Sequence, residues 1–582
     1  MSGLGIQGTA RRYQCVGAIK AHGATYTPMN LARFVAERIV ESAVLEGRDE
    51  ITILDPAIGD GSLVMALLDI LKNKTHAVLN VRGFDTNILA LDESARRICA
   101  AHPNAQIELT HGSFLDFALE AGGNAIERPL FSCCQIQTFD LIIANPPYVR
   151  TQIMGSERAQ QLAGRFDLAG RVDLYQAFLL GIAQVLAPDG AAGIIVSNRF
   201  MTTKGGSALR SALRQRFDLR QIWDLGDTKL FSAAVLPAVL VARGTAFDTA
   251  DAPRFTSIYE VKDATEIQTQ TADPIEALAH TGVVAVADGR RFCVRHGVLD
   301  ASDDDGAVWR LASGFGDEWL ATVSRHAWKR FGEIGKIRVG VKTCADKIFI
   351  RHDWDSAFGA ETPELLRPLT THHGAGRFRG TLPKKNRAIL YPHEVVQGRR
   401  QAIPLENYPK SRAYLESHRA TLENRAYVIE AGRRWYEIWV PQDPQAWIAP
   451  KLVFRDISER PTFWIDLDGS VVNGDCYWLA ASREDDTNLL WLACAVANST
   501  FSEAFYDHCF NNKLYSGRRR FITQYVEQFP LPDPALPLSR EIIARAKAIY
   551  EANHAPQAKE MERELDSLVW QAFGLDIEEI RR

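Results

Sequence analysis

Short apolar runs alternate with longer amphipathic stretches from residue 51 to residue 243. The strand candidates are Ile51–Leu54, Val78–Phe84, Ile107–Thr110, Phe139–Ala144, Ala192–Val196, Gln221–Leu225 and Val235–Val241. Between them Ser62–Leu71, Ile88–Ala100, Leu174–Leu186 and Ala208–Phe217 repeat their apolar positions at helical spacing. Strand–helix alternation of this kind predicts a parallel, doubly wound α/β sheet. Pro188-Asp189-Gly190 predicts a turn between the helix at Leu174 and the fifth strand. After Gly244 the pattern loosens into Asp, Thr and Ala clusters such as Asp303-Asp304-Asp305, so 245–330 reads as a linker or peripheral subdomain. From 331 to 535 aromatic and β-branched residues dominate, with turns at Asp468-Gly469 and Asn473-Gly474, which predicts a mixed, strand-rich second domain. Residues 536–582 are charged and helical in pattern, and 1–244 make the first domain.

Composition changes this picture little. A chain of 582 residues accommodates two to four domains, and 46% hydrophobic with 24% charged residues is ordinary for a globular protein. No apolar run reaches about 18 residues, so no membrane span is expected. Met1 to Gly23 lacks the apolar core of a signal peptide. The nine cysteines include the adjacent Cys133-Cys134 but no CxxC pair, which argues for reduced thiols in a cytoplasmic protein and against a metal site. Charge does change it. The net of -4 does not announce a nucleic-acid binder, yet Arg367 to Arg460 holds 17 Lys/Arg against 9 Asp/Glu, a local net of +8. That segment is either a solvated basic face or an anion-binding surface.

Candidate chemistry concentrates at the strand ends. Asn145-Pro146-Pro147-Tyr148 follows directly on Phe139–Ala144. In open parallel sheets, ligands bind outside the carboxyl ends of the strands. The two prolines fix φ and leave their carbonyls free as acceptors. An Asn oxygen beside such a carbonyl suits an exocyclic NH2, and the Tyr offers a face for stacking; a plain strand-ending turn is the alternative. Upstream, Asp55-Pro56-Ala57-Ile58-Gly59-Asp60-Gly61-Ser62 joins a strand to a helix through two glycines that permit close backbone approach. It is not G-x-G-x-x-G, and its acidic residues suit a cationic ligand better than a pyrophosphate. The second strand ends in Gly83-Phe84-Asp85, where a carboxylate can bind ribose hydroxyls. The third ends in His111-Gly112-Ser113-Phe114, which can frame an adenine ring.

Together these residues resemble the S-adenosylmethionine-dependent N6-adenine DNA methyltransferases of restriction-modification systems. Ala24-Thr25-Tyr26-Thr27-Pro28, placed before the Asp55–Gly61 loop and Asn145–Tyr148, is similar to the motif order of the gamma class, the TaqI-like enzymes. Asp173-Leu174-Tyr175-x-Ala177-Phe178, Leu225-Gly226-Asp227-x-x-Leu230-Phe231, Gly340–Thr343, Glu527–Pro532 and the tail around Asp566–Val569 and Phe573–Leu575 resemble later motifs. The resemblance implies a Rossmann-like seven-strand methyltransferase sheet with a C-terminal mixed α/β target-recognition domain. It implies S-adenosyl-L-methionine as cofactor, held by Thr27, Asp55, Ala57, Gly59, Gly61, Asp85, Ser113 and Phe114. Asp55 would lie near the methionine ammonium and Asp85 near the ribose. Ser113 stands where the family usually carries an Asp that accepts from the adenine amino group.

The resemblance also implies the reaction: methyl transfer to N6 of an adenine flipped out of double-stranded DNA. Asn145 and Pro146 would accept the amino protons, while Tyr148 and Phe231 would stack on the base. It implies a cytoplasmic monomer that protects host DNA from a cognate restriction endonuclease. The basic residues of 367–460 and Arg518-Arg519-Arg520 would contact phosphates. The alternatives are an amino methyltransferase acting on cytosine N4, RNA or protein glutamine, and a non-catalytic DNA-binding module.

Overall fold

The computed structural model describes residues 27–576, apart from 123–136, 149–155, 167–172, 232–235, 247–250, 263–266, 301–305, 382–386, 481–486, 511–513, 515–517 and 554. Ala24-Thr25-Tyr26, Cys133-Cys134 and Asp303–Asp305 lie outside the described residues. The chain forms two compact units, Met1–Ser313 with Lys513–Gly517, and Gly314–Asn512 with Arg518–Arg582.

The first unit is built on one large sheet. Its strands β1 (Glu50–Asp55), β2 (Val78–Asp85), β3 (Gln106–His111), β4 (Phe139–Ala144), β5 (Leu186–Ser197), β6 (Asp218–Asp224) and β7 (Pro237–Arg243) stand in the order β3-β2-β1-β4-β5-β7-β6. All are parallel except β7, which runs antiparallel to both β5 and β6. The order reverses between β1 and β4, and such a switch point opens a crevice at the carboxyl ends of the strands. The helices α1 (Met29–Ser42), α2 (Ser62–Leu71), α3 (Ile88–Ala101), α4 (Phe114–Gly122), α5 (Leu174–Val185) and α6 (Ser207–Arg216) alternate with these strands.

Local chemistry explains the elements. α1 buries Leu31, Val35 and Ile39 at intervals of four, one stripe of an amphipathic helix. It seats on β5 because Gly193 has no side chain: a Cβ there would stand 2.5 Å from Ile39 Cγ1. α2 starts at Gly61, held at φ +78°, a conformation glycine adopts without steric cost. α3 is capped by Asn87, whose side chain accepts from Leu89 N at 3.0 Å.

Two expectations are corrected here. Pro188-Asp189-Gly190 makes no turn; it lies within β5, which pairs with β4 across a register shift between Phe139 and Leu141. Gly190 is required there, since a Cβ would meet Asp140 O at 2.8 Å. The segment after Gly244 also carries regular structure. β8 (Arg254–Glu260), β9 (Thr269–Thr271), β10 (Gly282–Val286), β11 (Arg291–Leu299) and β12 (Leu311–Ala312) extend the same sheet, with β8 parallel to β6.

The second unit is mixed α/β. A five-stranded sheet runs in the order Ile337–Val339, Cys476–Ala480, Lys451–Arg455, Phe463–Asp466, Phe378–Arg379. A four-stranded sheet follows the order Ile350–Arg351, Arg387–Leu390, Leu366–Thr370, Val471–Val472. The helices Pro537–Glu551 and Ala558–Ala572 bury Ile542, Ala546, Val569 and Trp570 in the core that holds Leu452, Phe454 and Phe463, so the C-terminal helices belong to this unit's interior. Among the described residues, no helix is long and apolar enough to cross a membrane.

Candidate active site

Asp55, Asp85 and Asn145 stand at or just beyond the carboxyl ends of β1, β2 and β4, around the switch point. Asp55 is fully buried. Its Oδ1 accepts from Ala57 N at 3.0 Å, while Oδ2 is buried with no hydrogen-bond partner among the described residues. Burial pushes its carboxyl up to about 8, and the nearby Asp85 and Asp60 add to the rise. A buried carboxylate oxygen left without a donor costs stability unless a ligand satisfies it. A cation fits that position.

The loop that follows is shaped by backbone. Gly59 and Gly61 both adopt positive φ, +54° and +78°. Gly59 N donates to Asp85 Oδ2 at 3.0 Å, and Asn87 N donates to Asp85 Oδ1 at 2.8 Å. Asp85 therefore ties the loop after β1 to the end of β2. Asp60 turns away from any ligand role: it accepts from Ser62 Oγ at 2.8 Å and from Arg97 at 2.7 Å.

Asn145 is oriented by Thr27. Its Nδ2 donates to Thr27 Oγ1 at 3.0 Å, which fixes the amide and directs Oδ1 the opposite way. Pro146 is buried, and Tyr148 packs near Tyr175 with ring centroids 6.5 Å apart. The Tyr148 hydroxyl is buried with no hydrogen-bond partner among the described residues, and burial raises its pKa and that of Tyr175.

Two aromatic candidates are core rings. Phe114 is 1% exposed and packs against Phe84 and Phe178, with ring centroids 5.9 and 5.6 Å away. Phe231 is 7% exposed and lies in the apolar cluster of Leu31, Val35, Trp223 and Ile258. Ser113 is half-buried at the start of α4.

The sequence reading missed two features of this edge. Ile88 and Leu89, directly after the Asp85 turn, are 51% and 74% exposed, an apolar pair in a helix first turn where polar residues are usual. Further along the edge, the buried Asp224 at the end of β6 gathers Asn198, Tyr259 and the loop amide of Gly226. In the second unit the basic segment is partly internal. Lys451 is wholly buried beside Asp466 at 3.1 Å, and Arg425 donates to the carbonyls of Leu422, Thr343 and Trp435. Arg519 is held by Asp507 at 2.8 Å. Arg387, Arg399 and Arg400 are exposed.

The chain is similar to known proteins. The Eco57I restriction-modification methylase family matches residues 78–231, and the TaqI-like C-terminal specificity domain matches residues 403–531. The chain is 37% identical over 573 residues to the type II methyltransferase M.BanIII of Aneurinibacillus aneurinilyticus, covering 96% of this chain and 98% of that protein. It is 24% identical to the type II methyltransferase M.PaeR7I of Pseudomonas aeruginosa, over 91% of this chain and 90% of that one. Among solved structures, a DrdV–DNA complex superposes on 93% of this chain and 60% of its own, at 13% identity and a TM-score of 0.49.

Proposed function

The chain belongs to the type II DNA methyltransferases of restriction-modification systems, and from that premise we propose that it methylates the exocyclic N6 of adenine in double-stranded DNA. The observation that carries this reading is the Asn145–Tyr148 loop, with its Asn amide already oriented by Thr27, together with a buried Asp55 oxygen that has no partner among the described residues.

The residues fit S-adenosyl-L-methionine as the methyl donor. Asp55 Oδ2 would pair with the cofactor's ammonium. Gly59 and Gly61 let the backbone of Ala57–Gly61 approach closely, and Asp85 retains lone pairs for ribose hydroxyls. Ile88 and Leu89 offer an apolar surface for a purine ring, with the Ser113 hydroxyl as acceptor for its amino group. Phe114 supports that wall from the core. When bound, the cofactor supplies an electrophilic methyl group on a sulfonium.

The acceptor side needs no strong base. An adenine amino nitrogen is a poor nucleophile because its lone pair is delocalised into the ring. The Asn145 oxygen and the Pro146 carbonyl would each accept one N–H, drawing the nitrogen toward tetrahedral geometry and freeing the lone pair. The proton leaves after transfer, so positioning and electrostatics carry the rate. The base must leave the duplex to reach this loop, at a cost of a few kcal/mol. Tyr148 then holds it by stacking, worth about 1–3 kcal/mol, and Phe231 contributes only if its cluster opens. The exposed Arg387, Arg399 and Arg400 would contact phosphates. We place the enzyme in the cytoplasm as a monomer that shields host DNA from a cognate endonuclease.

The test is transfer of a labelled methyl group to duplex DNA, followed by identification of the modified base. Label on N6-methyladenine supports the reading; label on cytosine or on protein removes it. Asn145→Ala is expected to lower transfer at least 1000-fold, about 4 kcal/mol of barrier, while cofactor binding is retained.

A further inference from the structure

The carboxyl edge of the sheet holds a buried polar cluster that methyl transfer as described above does not use. Asp224 ends β6 and is 2% exposed. Its Oδ1 accepts from Asn198 Nδ2 at 2.9 Å and from Gly226 N at 3.2 Å, and its Oδ2 accepts from the Tyr259 hydroxyl at 2.6 Å. These donors come from three places: the end of β5, the loop after β6, and β8. Asn198 is itself anchored, since its backbone N donates to Leu236 O at 2.9 Å.

The same loop is held at further points by the strands beyond β7. Asp227, 1% exposed, accepts from Glu260 N at the end of β8 at 2.8 Å. Arg290, in the turn before β11, donates to Thr228 O at 2.8 Å. Lys229 lies 3.6 Å from Glu260. Gly226 sits at φ +47°, and a Cβ there would stand 2.3 Å from Ile258 O, so β8 presses directly on the loop backbone. The loop from Leu225 to Phe231 is therefore held by residues 254–290, in the segment whose sequence reads as a linker or peripheral subdomain.

Position gives this contact a purpose. β7 is antiparallel, so the β6–β7 connection rises from the edge where Asn145 stands. β6 lies three strands from β4, about 14 Å at the usual ~4.8 Å strand spacing. Asn198 follows β5, the strand that pairs directly with β4.

We propose that β8–β11 are a brace for the acceptor-base pocket, with Asp224, Asn198 and Tyr259 as positioning residues that set the Leu225–Phe231 loop opposite Asn145. All the hydrogen bonds given above for the cluster run to other residues of the chain. It acts by fixing a wall whose misplacement by about 1 Å costs up to 100-fold in rate. This inference rests on the adenine methyltransferase reading.

The test uses the full-length enzyme and duplex DNA carrying the sequence identified by methylation mapping. Tyr259→Phe removes one donor from Asp224 at nearly constant volume. It is expected to lower kcat about tenfold, to weaken the fluorescence rise of 2-aminopurine placed at the target position, and to leave S-adenosyl-L-homocysteine binding unchanged. Asp224→Asn, which keeps an acceptor for Gly226 N, is expected to retain more activity than Asp224→Ala. A Tyr259→Phe enzyme with a lowered Tm but wild-type kcat and wild-type 2-aminopurine signal overturns the brace and makes the cluster purely structural. A wild-type enzyme that transfers no methyl group to adenine overturns the reading beneath it, a result distinct from the first.

Discussion

Asp55 and Asp224 are both buried carboxylates at the ends of strands in one sheet, but their surroundings differ. Among the described residues, Asp55 receives one backbone donor, and its other oxygen has none. Asp224 receives Asn198, Tyr259 and Gly226. Burial raises both, Asp55 to about 8 but Asp224 only to about 6, because the donors around Asp224 offset part of the desolvation. On the proposed assignment, the cofactor side of the edge holds an acceptor that a cation would satisfy, and the acceptor-base side holds one already supplied with donors. A binding site and a brace can share residue type, burial and place in the fold, and the count of donors separates them.

The harshest way to break this contrast is to remove each carboxylate in turn. Asp55→Ala is expected to weaken S-adenosyl-L-homocysteine binding at least 100-fold by calorimetry, since losing one partner of a buried ion pair costs about 3–5 kcal/mol. Asp224→Asn is expected to leave that affinity within about threefold. Equal losses at both positions would mean that burial alone, not donor count, sets the role.

A smaller effect sharpens the contrast. Only ionised Asp55 pairs with an ammonium, so affinity for S-adenosyl-L-homocysteine is expected to rise roughly tenfold per pH unit from pH ~6 toward ~8, then level off. Asp55→Asn should bind weakly with little dependence over the same interval. A wild-type affinity independent of pH between ~6 and ~8 would place the ammonium elsewhere.

Much of this edge could be read from the sequence, because it is written locally. The run Phe139–Ala144 ends where its apolar pattern ends, and α2 begins where Gly61 permits. The Asn145 and Asp55 loops follow those strands directly. The Asn198–Asp224–Tyr259 cluster is different: its members are 26 and 35 residues apart and meet only because the sheet order β5-β7-β6-β8 brings the ends of β5 and β6 and the strand β8 to one edge. No local spacing encodes that order. β11 does show the alternation of a strand, burying Phe292 and Val294, but surrounding Asp and Thr clusters obscured it. Residue type also does not declare a face. Phe114 belongs to the core, and Lys451 and Arg425 are internal cations in a segment whose charge suggested an open basic surface.

The smallest expected effect lies in stability without ligand, and it distinguishes the two carboxylates by pH window. A carboxyl whose folded pKa exceeds its unfolded value of about 4 binds its proton more tightly in the native state. Its contribution is complete below pH ~4 and is lost as pH rises through the folded value. For Asp55 the loss extends to about pH 8, and for Asp224 it ends near 6. At about 1.4 kcal/mol per pKa unit, the Asp55 contribution is on the order of a few kcal/mol, and that of Asp224 is smaller. The ligand-free enzyme is therefore expected to lose Tm progressively from pH ~5 to ~8. Asp55→Asn should abolish the decline between pH ~6 and ~8 and leave, below pH ~6, only the smaller part that belongs to Asp224. S-adenosyl-L-homocysteine, which carries the same ammonium, should flatten the upper part in the wild-type enzyme by holding Asp55 ionised. If Asp55→Asn retains the decline above pH ~6, the buried oxygen of Asp55 is not the group that destabilises the empty site, and the contrast with Asp224 fails.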